Sequence, residues 1–133
     1  MTPLVLAARR YHGVRFVHRG RLPHKLDCVG LVWRAYRDCG VELEDFRLYG
    51  REANLTLWAD VTERNLGAPV AGLQPGDVVS MRTLLNPHHV AIVGNHPEGL
   101  SLIHASGEEG RVVEHRLDAK YRARIVNVYR KPV

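Results

Sequence analysis

Three residues of this 133-residue chain have the types and order needed for covalent catalysis. Cys28 stands in the run Leu26-Asp27-Cys28-Val29-Gly30-Leu31. Two histidines follow far downstream, in His89-Val90-Ala91-Ile92-Val93 and Leu102-Ile103-His104-Ala105. A thiol nucleophile needs a base to take its proton and a third group to orient that base. At the start of a helix, unpaired N–H groups and the positive end of the dipole lower a thiol pKa. The same N–H groups can hold the oxyanion of an attacked carbonyl. Cys28 is therefore expected as nucleophile, His89 as general base and His104 as the group that fixes the tautomer of His89. The plain alternatives are an inert buried cysteine and incidental surface histidines. His12, His18, His24, His88, His96 and His115 are read in that second way. His88 competes most directly with His89, but strand alternation puts the two on opposite faces.

Other chemistries fit less well. A Cys-His-His set can bind zinc, but no fourth ligand stands at a typical spacing and no Cys-x-x-Cys pair exists. There is no Gly-x-Ser-x-Gly elbow for a serine hydrolase and no glycine-rich phosphate loop. No metal and no cofactor is expected. Cys28 and Cys39, eleven residues apart in one helix, would lie about 16 Å apart along its axis. A disulfide requires Cα atoms within about 7 Å, so Cys28 is expected to be a free thiol and Cys39 a small buried residue.

The elements that must position these groups can be read from periodicity and caps. Thr2-Pro3 is a capping residue followed by a first-turn proline, predicting a short helix to about Tyr11 that stops at Gly13. An irregular basic stretch, Val14 to Lys25, follows. A second helix begins near Asp27 or Cys28; its stripe of Cys28, Val32, Ala35, Tyr36 and Cys39 keeps helical spacing, and Gly40 closes it. Residues 41 to 53 read as a loop with a turn at Tyr49-Gly50. Asn54 caps a third helix that ends at Gly67. After the Pro75-Gly76 turn, strands are predicted at 78–82, 89–93, 100–105, 111–115 and 124–129. Helices first and a meandering antiparallel sheet of about five strands afterwards is the α+β pattern. If 89–93 and 100–104 form a hairpin that pairs Val93 with Leu100, His89 lies directly opposite His104 on one face. A slip of one residue would break that alignment.

Bulk composition sets outer limits. The length suits one domain with a core that needs no disulfide or metal. The apolar stretch Leu4–Ala8 is too short for a signal-peptide core or a membrane span. Synthesis in the cytoplasm without membrane insertion is therefore expected. The formal charge of +5 suggests an anionic partner, but the arginines are scattered and no recognition helix or aromatic RNA signature accompanies them. An acidic peptide or cell-wall polymer fits the charge better than nucleic acid.

Four blocks in order, Asp27-Cys28-Val29-Gly30-Leu31, Pro75-Gly76-Asp77-Val78-Val79, His89-Val90-Ala91-Ile92-Val93 and Ile103-His104-Ala105-Ser106, resemble the NlpC-type cell-wall peptidases. These are papain-like cysteine peptidases with a Cys, a His and a third polar residue, often His. The likeness runs from about residue 4 to 130 and implies a single NlpC-type domain over 1–133. Within the family the chain looks closest to compact members of tailed-phage and gene-transfer-agent tail modules. Phe16-Val17-His18-Arg19-Gly20-Arg21, Leu48-Tyr49-Gly50-Arg51, Val112–Leu117 and Arg124–Pro132 carry that narrower likeness.

The resemblance implies hydrolysis of an amide in a peptidoglycan stem peptide, between D-γ-glutamate and meso-diaminopimelate, by Cys28, His89 and His104. It implies tail-tip, baseplate or hub proteins as partners, and a virion-associated enzyme acting in the host envelope. Many members carry Gly-x-x-Tyr ahead of the cysteine, with the hydroxyl near the oxyanion. Here Gly13-Val14-Arg15-Phe16 offers phenylalanine, and either His18 reaches the site in its place or His18 is an ordinary loop residue. Asp27, Phe16, Arg51 and Arg82 complete the expected oxyanion and substrate contacts, the arginines through substrate carboxylates. Two rivals stand beside this reading: a structural tail protein that keeps the fold without cutting, and an acyltransferase using the same triad.

Overall fold

The computed structural model describes residues 2–45, 55–83 and 88–133. Helix α1 (Pro3–Arg9) starts as predicted, with the Thr2 side chain accepting the Val5 N–H. Three two-residue strands follow: β1 (Arg15–Phe16), β2 (Arg21–Leu22) and β3 (Lys25–Leu26). Helix α2 (Cys28–Asp38) and helix α3 (Leu55–Leu66) come next. The second half holds β4 (Val78–Met81), β5 (His89–His96), β6 (Gly99–Ser106), β7 (Arg111–Arg116), a single-turn helix α4 (Ala119–Arg122) and β8 (Ile125–Tyr129).

The sheet has eight strands, in the order β2-β3-β1-β7-β6-β5-β4-β8, where about five were expected. The five longer strands are those predicted. The additional three lie in the basic stretch read as irregular, where two residues per strand are too few to show alternation. All pairings are antiparallel except β1 with β3. Helix α4 was likewise not predicted.

The sheet separates two apolar layers. Leu4, Val5 and Ala8 of α1 and Leu31, Ala35 and Tyr36 of α2 pack on Val78, Val90, Ile92, Ile103 and Val112. The opposite face carries Val79, Met81, Ala91, Val93, Leu102 and Leu117. Strand residues alternate between these layers, as a sheet covered on both sides requires. Ahead of β4, Gly76 adopts φ +93 and its N–H donates to the Val93 carbonyl, which locks the turn onto β5.

The β5–β6 hairpin closes more tightly than expected. Val93 pairs with Leu102 and His96 with Gly99, leaving only Pro97 and Glu98 in the turn. The register thus differs by two residues from the predicted pairing of Val93 with Leu100. A two-residue shift preserves facing, so His89 and His104 stay on one face, offset diagonally rather than directly opposed.

Candidate active site

Cys28 is the first residue of α2, and Asp27 is its cap. The Asp27 carboxylate accepts the Gly30 N–H at 2.8 Å and the Arg19 N–H at 2.8 Å, and pairs with the Arg21 guanidinium at 2.8 Å. Arg21, itself buried, also reaches Asp45 at 3.0 Å and the Gly20 carbonyl at 2.9 Å. Gly30 is dictated by the same close packing: a Cβ there would lie 2.0 Å from the Gly20 carbonyl oxygen. The start of the helix is therefore bolted to the β1–β3 segment by a buried ion pair and a backbone contact. The N–H groups of Cys28 and Val29, in the first turn, cannot be satisfied by the helix itself.

The sulfur is buried, with 2% of the residue exposed. The main-chain N–H groups of Val90 and Val29 face it. The first of these belongs to the peptide joining His89 to Val90, so tertiary packing seats the thiol against the residue expected to be its base.

His89 and His104 are both 5% exposed. His89 Nε2 lies 2.7 Å from His104 Nδ1 with the rings nearly perpendicular, at 80°. The line continues: His104 Nε2 lies 2.8 Å from His115 Nε2, and His115 Nδ1 lies 2.9 Å from the Arg116 carbonyl oxygen. Tyr121 of α4 stacks beside His115 at a centroid distance of 4.4 Å. The rings are bonded in series instead of converging on one centre. No group of three or more potential metal ligands occurs among the described residues.

His115 was read from the sequence as incidental surface polarity, and the structure corrects this. It ends a strand whose partner register is invisible in sequence. Pairing Leu102 with His115 places it on the face of His104, one diagonal step along the sheet. Alternation within β7 shows only that His115 and Val113 share a face; that Val113 opposes His104 comes from the structure.

The electrostatics also correct an expectation. Burial pushes the Cys28 thiol up to about 12, and the negative charge of Asp27 adds to this; the Val90 and Val29 N–H groups and the Arg21 charge oppose it but do not prevail. The helix N-terminus thus does not yield a resting thiolate. Burial lowers His89 to about 4, with Asp27 opposing and His115 assisting, and lowers His104 to about 2, with His89 and His115 assisting. Near neutral pH the thiol and both imidazoles are uncharged. If Cys28 is the nucleophile expected from the sequence, its sulfur would be activated by general-base removal of its proton during attack, not by a preformed ion pair.

The NlpC/P60 family model matches residues 13–130. The chain belongs to the NlpC/P60 family. Its fold is shared by NlpC1 from Trichomonas vaginalis (TM-score 0.70, 19% identity, 96% of this chain and 44% of that one). An NlpC/P60 family protein from Bacillus cereus matches similarly (TM-score 0.70, 21% identity, 96% and 39%). The NlpC/p60 domain of the peptidoglycan hydrolase SagA matches along its whole length (TM-score 0.67, 18% identity, 97% of each chain). The chain spans less than half the length of the first two. No curated protein matches it.

Relative to this NlpC/P60 frame, the remaining expected contacts divide. Asp27 acts as cap and ion-pair partner, its carboxylate already engaged, in place of the expected contact with oxyanion or substrate. Phe16 is half-buried against the helix-side core. His18 is exposed in the turn between β1 and β2. Arg82 is exposed just beyond β4, next to Met81, which pairs with His89. Arg51, the Tyr49-Gly50 turn and the Asn54 cap lie outside the described residues. Neither Cys28 nor Cys39 forms a disulfide, and Cys39, expected to be buried, is only partly so.

Proposed function

We propose that this NlpC/P60 protein is a cysteine peptidase that hydrolyses a peptidoglycan stem-peptide amide, the bond from D-γ-glutamate to meso-diaminopimelate. The observation that carries the reading is the 2.7 Å contact of His89 with His104 on a strand whose first peptide N–H faces the Cys28 sulfur. His89 takes the thiol proton as sulfur attacks the carbonyl carbon, forming the tetrahedral oxyanion. The Cys28 N–H, assisted by its neighbour in the first turn, supports that oxyanion. The protonated His89 gives its proton to the leaving amine, breaking the C–N bond and leaving a thioester. Water then attacks with His89 as base and releases the acyl group. Each step uses these side chains, backbone donors and water.

The named function of SagA, peptidoglycan hydrolysis, supports the substrate class through a shared fold. Bacteroides uniformis N-acetylmuramoyl-L-alanine amidase has the same architecture (TM-score 0.60, 12% identity, 96% of this chain and 95% of that one), which makes a neighbouring amide the competing bond. The tail-module assignment, with tail-tip or hub partners and action in the host envelope, rests on the sequence likeness of Phe16–Arg21, Val112–Leu117 and Arg124–Pro132.

Mass spectrometry of a diaminopimelate-type peptidoglycan digest, treated with wild type and with Cys28→Ala, tests the reading. New stem-peptide fragments from wild type alone identify a peptidase and its bond. Transfer products on an amine would point to the acyltransferase, and no product from either protein to the structural rival.

A further inference from the structure

The line of imidazoles ends on a group with no tautomers. A backbone carbonyl only accepts hydrogen bonds, so the 2.9 Å contact with the Arg116 oxygen requires a proton on His115 Nδ1. Neutral His115 then accepts at Nε2, so the 2.8 Å contact requires His104 to donate from its Nε2. His104 in turn accepts at Nδ1, and the 2.7 Å contact requires His89 to donate from Nε2. His89 Nδ1 is left bare, the state a general base for Cys28 must have.

We infer that His115, anchored on the Arg116 carbonyl, is a fourth, positioning residue of the site that sets the tautomers of His104 and His89 in series. The inference rests on the peptidase reading for its catalytic meaning, but not for the tautomers themselves. Burial supports it: a cation on His89 or His104 is disfavoured, so both remain neutral links.

The groups facing His115 are His104 from β6 and Tyr121 from α4, with Lys120 and Arg124 beyond the Tyr121 ring at 6.0 and 5.2 Å. On its own strand, Glu114 points to the other face and pairs with Arg9, and Arg116 is exposed. The negative charge of Asp27 acts at the His89 end. Glutamine at 115 would accept from His104 through its carbonyl and cannot titrate.

Long-range proton–nitrogen NMR of the folded wild type at neutral pH should find the proton on Nδ1 of His115 and on Nε2 of His104 and His89. An Nδ1-protonated His89 or His104 overturns the inference. In the digest assay, His115→Ala should lower kcat by about ten- to a hundredfold with KM nearly unchanged, a share of the 10²–10⁴ that a positioned base supplies. His115→Gln should restore most of that loss. Wild-type kcat in a folded His115→Ala protein, or no recovery in a folded His115→Gln protein, refutes the role. If His115→Ala does not fold, the glutamine variant and the spectra decide. If wild type cuts no wall, the peptidase reading fails while the spectra still test the tautomers.

Discussion

Successive residues of β7 hold the molecule together by opposite means. Glu114 faces the helices and pairs with Arg9 of α1 at 2.9 Å, while also accepting the Ser101 hydroxyl at 2.6 Å. His115 faces the other way and joins a line of imidazole rings. The same contrast holds at the site: the proposed nucleophile is fixed by the charged Asp27–Arg21–Asp45 set, and the proposed base by imidazoles in series. Charges suit the first task because a cap and an anchor never change protonation. A general base at His89, as proposed, would change it in every turnover, and a fixed charge nearby would bias that change. Asp27 shows the bias, raising both the thiol and His89.

Experiments that break each side separately sharpen this contrast. Removing the reacting atom has the largest effect: Cys28→Ala should abolish product in the digest assay while leaving the thermal transition in place. Next, Arg21→Ala leaves Asp27 and Asp45 buried or half-buried without their shared cation. Breaking a buried pair this way costs about 3–5 kcal/mol, to be read as a lowered urea midpoint. On the neutral side, His104→Ala should reduce kcat by about a hundredfold, within the range for a positioned base, and leave substrate binding largely intact by calorimetry.

Stability against pH probes both sides at once. The folded thiol stands near 12 against about 8.5 in an unfolded chain. Stability is therefore level below about 8.5 and falls as pH rises toward 12. His89 stands near 4 against about 6.5 unfolded, so its contribution is full above about 6.5 and is lost as pH falls toward 4. Urea midpoints should peak between these limits. Cys28→Ala should flatten the alkaline side up to about 10, where the buried tyrosines begin to contribute. The smallest effect belongs to an exposed pair: Arg64→Ala, which loses Glu44, should leave the urea midpoint where it is in wild type.

How far these features were legible in sequence depended on how local each one was. The helix carrying Cys28 and the five longer strands follow from residues a few positions apart, whereas Asp27, read as a substrate contact, turned out to be the helix cap. Gly30 was visible as part of a motif, but its reason, the Gly20 carbonyl ten residues earlier, was not. The hairpin register was misjudged by two because Gly94 and Asn95 look like turn residues, yet both pair, with Ser101 and Leu100. The facing of His89 and His104 survived that error through the two-residue period alone. The thiol pKa went the other way because a helix end is a local feature, whereas burial and the nearness of Val90 are tertiary. His115 was missed for a related reason: its meaning lies in the β6–β7 register, which no spacing within β7 reveals.

The last acceptor in the imidazole series is a peptide oxygen, and this bears on how the site can change over generations. Replacing the side chain at 116 leaves that oxygen in place, so drift at this position is silent as long as β7 keeps its path. Heredity can displace this anchor but cannot delete it, and sequence comparison would never mark it as part of the machinery.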